Sequence, residues 1–182
     1  MSQKKKGNRG ENVVASLLNK QFETGFKKGP SSGALSTIYK GFIDESALVT
    51  LTGDLIVPKN WVFSIESKAG YEADISKLFT SKKLKSKLFG FVEQASEDAL
   101  RIEGRIPLVV YKRDYREHVA ILPYHNHSRE KELKKLLKDK IKTYMIFHHK
   151  VEDSPWSKWV IITFQELLDK APKSFFFDGK EE

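Results

Sequence analysis

Residues 53–70 read GDLIVPKNWVFSIESKAG, and the rest of the chain is interpreted from this stretch. Leu55, Ile56 and Val57 form one β-prone run, residues 61–65 begin a second, and Pro58-Lys59-Asn60 lies between them as a turn signal. The spacing predicts an antiparallel hairpin centred near Asn60, with Asp54 opposite Glu66. Directly opposed residues have Cβ atoms about 5 Å apart. Lys68 follows Glu66 by one strand repeat and points to the same face, while Phe63 and Ile65 point to the other face and can enter a core. A slip of the register by one residue would separate the polar trio.

Two carboxylates so placed repel, and one takes up a proton unless a cation lies between them. Hard oxygen ligands around an open shell suit Mg²⁺. A metal beside a lysine can activate water and polarise a phosphodiester. Asp54 followed by Glu66-Ser67-Lys68 resembles the signature of the PD-(D/E)xK nuclease superfamily, with Gly53 where that family often has Pro. The same residues also fit a surface hairpin with cross-strand ion pairs, so the neighbouring segments carry weight.

Residues 1–7, MSQKKKG, are expected to be a flexible basic arm, either a solubilising tail or a non-specific phosphate contact. Residues 8–22 predict a helix with Asn8 as N-cap and Glu11 completing a capping box. Val13, Val14, Leu17, Leu18 and Phe22 form its apolar stripe. Residues 23–33, ETGFKKGPSSG, are a loop by composition, either a linker or a phosphate-facing segment offering Lys27, Lys28, Ser31 and Ser32. Glutamate on a first helix, a Ser-Gly loop, Asp, then Glu-x-Lys is the order in archaeal-type Holliday junction resolvases and their phage relatives, which the chain resembles over about residues 8–113. The resemblance implies that Glu11 joins Asp54 and Glu66 at a metal; the bare residue reading is that Glu11 only caps its helix. The interval 34–52 is long for that pattern and holds a rival carboxylate, Asp44, ranked below Asp54 because Asp54 directly precedes Leu-Ile-Val.

From Lys77 to Lys87 the chain carries a lysine-rich, acid-free run with Lys77, Lys82, Lys83, Lys85 and Lys87. Like charges repel unless neutralised, which favours a DNA backbone over a merely solvated face. Residues 91–104 predict a helix with Phe91, Ala95, Ala99 and Ile102 inward and Gly104 as its stop. Gln94 on it is a possible auxiliary site group, although a solvent-exposed role fits it better. Residues 106–112 read as a buried strand ending in Lys112 and Arg113, which could face DNA, and 117–124 as its partner. Beyond these come a basic amphipathic helix over 128–142, strands over 144–148 and 159–164, and a short helix over 164–170. Phe175-Phe176-Phe177 is expected to pack back on the core, or else to join a dimer interface. His125, His127, His148 and His149 lack helical metal-ligand spacing and are assigned structural or surface roles.

The whole composition agrees with this context. The 182 residues are 40% hydrophobic and 31% charged, enough for one domain with a sizeable core. No apolar run approaches the ~20 residues that span a bilayer. The first residues lack the apolar segment of a secretory signal. No cysteine is present, which removes disulfide scaffolds, thiol catalysis and zinc ribbons. The net charge of +8 suggests a polyanionic partner.

The expected fold is α/β: a single restriction-endonuclease-like PD-(D/E)xK domain over 8–182, with a mixed central sheet flanked by helices, a core over about 8–124 and a C-terminal extension over 125–182. The expected activity is metal-dependent DNA cleavage by Glu11, Asp54, Glu66 and Lys68, with Mg²⁺, or Mn²⁺ in its place, on the three carboxylates. The resemblance implies a homodimer cutting a four-way junction in the cytoplasm of a bacterial, archaeal or phage-infected cell, with no membrane partner. Another recombination, repair or restriction nuclease, or a non-cutting DNA-binding protein on the same scaffold, is the alternative.

Overall fold

Residues 106–111 are buried without a break, which is what a strand covered on both faces requires. This strand lies inside the central sheet of a computed structural model that describes residues 3–29, 53–69, 82–112 and 116–179. The elements follow in the order α1 (Gln3–Phe22), β1 (Lys27–Lys28), β2 (Leu55–Ile56), β3 (Phe63–Ala69), α2 (Lys82–Leu100), β4 (Ile106–Lys112), β5 (His118–Pro123), α3 (Glu130–Asp139), β6 (Tyr144–His148), β7 (Lys158–Thr163), α4 (Phe164–Lys170) and α5 (Lys173–Phe176).

Five strands form one mixed sheet in the order β3-β4-β5-β7-β6. Strands β3 and β4 are parallel, as the α2 crossover between them demands, and the remaining pairs are antiparallel. Pro107 is tolerated inside β4 for a local reason. Ile106 donates its N–H to Val62 on the β3 side, so position 107 faces β5, and the β5 ladder begins only at Val109. Alternation then sorts the side chains. Val110, Ala120, Leu122, Val160 and Ile162 pack under α1, α3 and α4, while Val109, Tyr111, Ile121 and Ile161 pack under α2 with Trp156 and Trp159. The expected mixed α/β sheet flanked by helices is therefore the architecture found. Strands β6 and β7, from the C-terminal third, extend the same sheet.

Several local expectations are corrected. Helix α1 begins at Gln3, so Asn8 lies inside it instead of capping it, and residues 3–7 belong to the helix. Helix α2 begins at Lys82, so the end of the lysine run forms its first turns. It stops at Leu100, with Gly104 at φ +81° in the turn that follows.

The largest correction concerns the hairpin. Strand β2 pairs with β1, Lys27 against Ile56 and Lys28 against Leu55, and Gly53 bridges Ile65 in the parallel sense. The Pro58 turn does form, closed by the Trp61 N–H on the Pro58 carbonyl at 3.0 Å. Past it, Trp61 leaves the hairpin path. Its indole is 1% exposed and stacks on Phe176 at 5.4 Å, with Phe22, Phe26, Phe63 and Phe177 around it. The Val62 N–H bonds the Phe176 carbonyl at 2.9 Å and the Asp178 N–H bonds Asn60 at 2.7 Å. Burying so large an aromatic body outweighs a two-strand ribbon, which is marginal alone.

The three C-terminal phenylalanines thus pack inward, as one of the two expectations held. Arg129 ties down the end of this segment by donating to the Phe177 carbonyl at 3.0 Å and to the Asp178 carboxylate. No helix among the described residues is long and apolar enough to cross a membrane. Phe176→Ala should cost about 3–5 kcal/mol. Urea unfolding will show this as a lower midpoint, and a midpoint unchanged within error would mean that the cluster does not hold the β2–β3 connection.

Candidate active site at the edge of strand β3

Strand β3 lies at one edge of the five-stranded sheet, and Asp54 is fastened to that edge by two hydrogen bonds. Its N–H donates to the Ile65 carbonyl at 2.8 Å, and its Oδ2 accepts the Ser67 N–H at 2.8 Å. Gly53 makes this approach possible. Its φ is +81°, and a Cβ there would stand 2.4 Å from the Ile65 oxygen. Proline, fixed near φ −65°, cannot adopt that conformation, which explains the departure from the Pro-Asp pattern. On the other side of Asp54, the Gly29 N–H donates to the Asp54 carbonyl at 2.9 Å. Asn19 pins the preceding turn by bonding both backbone polar groups of Phe26.

Glu66 and Lys68 project from β3 toward α2, at the register of Val109 and Tyr111. Asp54 is 5% exposed and Glu66 1%. Burial raises the Glu66 pKa to about 8; the Asp54 charge adds to this, and Lys68 opposes it. Burial also raises Asp54, against the Ser67 hydrogen bond and the charge of Lys68. Glu66 Oε2 is buried without a hydrogen-bond partner among the described residues. A proton shared with Asp54, or a cation, relieves it.

Lys68 is held from two sides. Its ammonium donates to the Glu66 carboxylate and to Gln94 Oε1, the latter at 2.9 Å, and lies 5.8 Å from the centre of the Phe91 ring. Gln94 is exposed, as expected, yet it contacts Lys68. Asp98, one helical turn further along α2, escaped the sequence reading. It is 4% exposed, pairs with Arg101 at 2.9 Å, and its charge acts on both Asp54 and Glu66. The available signal was its i+4 spacing from Gln94 and i+7 spacing from Phe91, which place all three on one helix face.

Glu11 reaches the same edge from α1. Burial raises its pKa and the neighbouring Asp54 charge adds to this, while Lys28, at 3.4 Å, lowers it. The structure therefore brings Glu11, Asp54, Glu66, Lys68, Lys28 and Gln94 into one neighbourhood. Lys27 and Lys87 are exposed, and Lys82, Lys83 and Lys85 lie in the first turns of α2. Ser31, Ser32, Asp44, Lys77 and Arg113 lie outside the described residues. His125, His127 and His149 make their contacts away from this edge. His127 Nδ1 accepts the Arg129 N–H at 3.2 Å, His125 meets Ser157, and His149 pairs with Glu93 at 2.8 Å while stacking on Phe89.

The donor chemistry fits a divalent cation: buried carboxylates with raised pKa values and one orphaned oxygen. Among the described residues, however, no three His, Cys, Asp or Glu side chains form a ready-made metal shell. Lys68 occupies Glu66 and Lys28 occupies Glu11.

The raised carboxyls have a consequence for stability. Glu66 holds its proton more tightly folded than unfolded, so its stabilising effect is full below 4.5 and is lost as pH rises through about 8. His118 and His127, both pushed down to about 4 by burial, work in the other direction, but only below their ordinary value of 6.5. In chelator, the melting temperature should therefore fall as pH rises from 6.5 to 8, and Glu66→Gln should flatten that slope. A wild-type slope equal to the variant's would show that Glu66 is not the titrating group.

A family model described as phage putative PDDEXK endonuclease matches residues 2–178. No curated protein and no solved structure matches the chain.

Proposed function

The chain belongs to this phage PD-(D/E)xK endonuclease family, and on that premise we propose that it is a Mg²⁺-dependent DNA endonuclease that cuts branched DNA, a four-way junction above all. The observation that carries the reading is the buried Asp54–Glu66 pair with Lys68 beside it and one Glu66 oxygen without a partner among the described residues. Asp54, Glu66 and Glu11 would hold the cation, with Mn²⁺ able to replace Mg²⁺. When bound, the cation supplies Lewis acidity and lowers the pKa of water.

The chain's own groups do the rest. Lys68 orients the attacking water or stabilises charge on the phosphate, and the Gln94 carbonyl holds its ammonium in place. Lys27, Lys28 and the lysines of α2, with Ser31, Ser32 and Lys77, bind the phosphate backbone. The net charge of +8 supports a polyanionic substrate. A homodimer would match the two-fold symmetry of a junction with two sites on like strands. The junction rests on the likeness in motif order to the resolvases, so a repair or restriction nuclease is the neighbouring possibility.

A labelled four-way junction and a linear duplex of the same sequence, each with Mg²⁺ and with chelator, test the reading. Paired nicks in the junction alone are expected. Glu66→Ala should abolish them, and Lys68→Ala should slow them by about 10²–10³-fold while leaving binding intact. Cutting of both substrates would remove the junction preference. Tight binding without cutting would make the protein a DNA-binding module.

A further inference from the structure

Helix α1 carries a glycine in its interior, the least favourable residue there after proline. Gly10 lies in line with Val14 and Leu18, one and two turns on, which are 1% and 0% exposed. This face packs on β3. A Cβ at Gly10 would stand 2.8 Å from the Ala69 Cβ and 3.6 Å from Ser67 Oγ. The first distance is shorter than real Cβ atoms tolerate, and neither the added Cβ nor the Ala69 Cβ can rotate away, because a Cβ has no torsion that moves it relative to its backbone.

The contact lies beside the site on both sides. Ser67 stands between Glu66 and Lys68 and gives its N–H to Asp54 at 2.8 Å. Glu11, the residue after Gly10, pairs with Lys28 at 3.4 Å and feels the charge of Asp54. We infer that Gly10 is a positioning residue: its missing side chain seats α1 directly on Ser67 and Ala69, and this seating delivers Glu11 to the Asp54 edge of β3. Any side chain at 10 lifts the helix and carries Glu11 away from Asp54. The inference rests on the endonuclease reading in which Glu11 serves the cation. It assigns the placement of Glu11 to helix–strand packing, with no part for an N-cap.

The test exchanges the methyl. Gly10→Ala adds the clashing group, and Ala69→Gly removes the atom it meets. Mn²⁺ affinity is read by calorimetry on the full chain, alongside the cleavage rate. Displacements of about 1 Å can cost on the order of 10²-fold in rate. Gly10→Ala should lower the cleavage rate by that order and weaken Mn²⁺ binding about tenfold. Gly10→Ala with Ala69→Gly should return both to within about threefold of wild type, as relief of a local clash requires. Ala69→Gly alone should stay near wild type. In a Glu11→Gln background, Gly10→Ala should cause little further loss, because both changes act through one carboxylate.

Full additivity with Glu11→Gln, or no recovery in the exchanged pair, overturns the inference while leaving the nuclease in place. Wild-type affinity and rate in Gly10→Ala do the same. A wild type that neither binds Mn²⁺ nor cuts overturns the endonuclease reading, and the role of Gly10 falls with it.

Discussion

Asp54 and Glu66 are two carboxylates buried side by side at one sheet edge, and much of the surrounding structure answers to their repulsion. Burial pushes both pKa values up, and the charge of Lys68, which is paired with Glu66, acts against this at both carboxylates. The Ser67 N–H and the Lys68 ammonium offset part of the cost. Glu66 Oε2 remains without a donor among the described residues. Such a pair is a poor choice for stability, since an apolar pair would pack there without penalty. Its burial beside a third buried carboxylate, Asp98, marks a site that a proton or a cation completes.

The scaffold around this pair combines the terminal strand of the sheet with two helices. Strand β4 covers one side of β3, and among the described residues Gly53 and Asp54 meet the other side, Gly53 bridging Ile65 and Asp54 bonding Ile65 and Ser67. Helices α1 and α2 lie on opposite faces, so Glu11 arrives from one face while Gln94 and Asp98 arrive from the other. The site thus draws on both sides of one strand, and its precision depends on how closely each helix approaches. Glycine at 10 and at 53 sets two of those approaches.

Sequence spacing captured more of the elements than of their pairing. The strand over 106–112, the strand over 144–148 and the helix over 164–170 appear with the expected bounds, because each is a run whose period and flanks agree. The α2 start and the α1 start were missed, because lysine-rich turns show no apolar period of their own. The hairpin was missed because Pro58-Lys59-Asn60 is a sound turn signal whose outcome Trp61 overrides from a distance. Asp54 still comes to rest beside Glu66, through a parallel contact instead of an antiparallel one. Asp98 was overlooked because an acid among Ala95 and Ala99 on a helix gives no sign of what it faces until α2 is docked on β3.

Residue chemistry alone determined the pairing of an acid with Glu-x-Lys, the alternation that separates Phe63 and Ile65 from Glu66 and Lys68, and the basic surplus that calls for a polyanion. These are local or summed properties, carried by side-chain type and a period of two. Tertiary structure alone decided which strand accepts Asp54, that Gln94 bonds Lys68, and that Gly10 faces Ala69. Each of those joins residues from separate elements, and such contacts exist only once burial of Trp61 and the C-terminal phenylalanines has set the elements against one another.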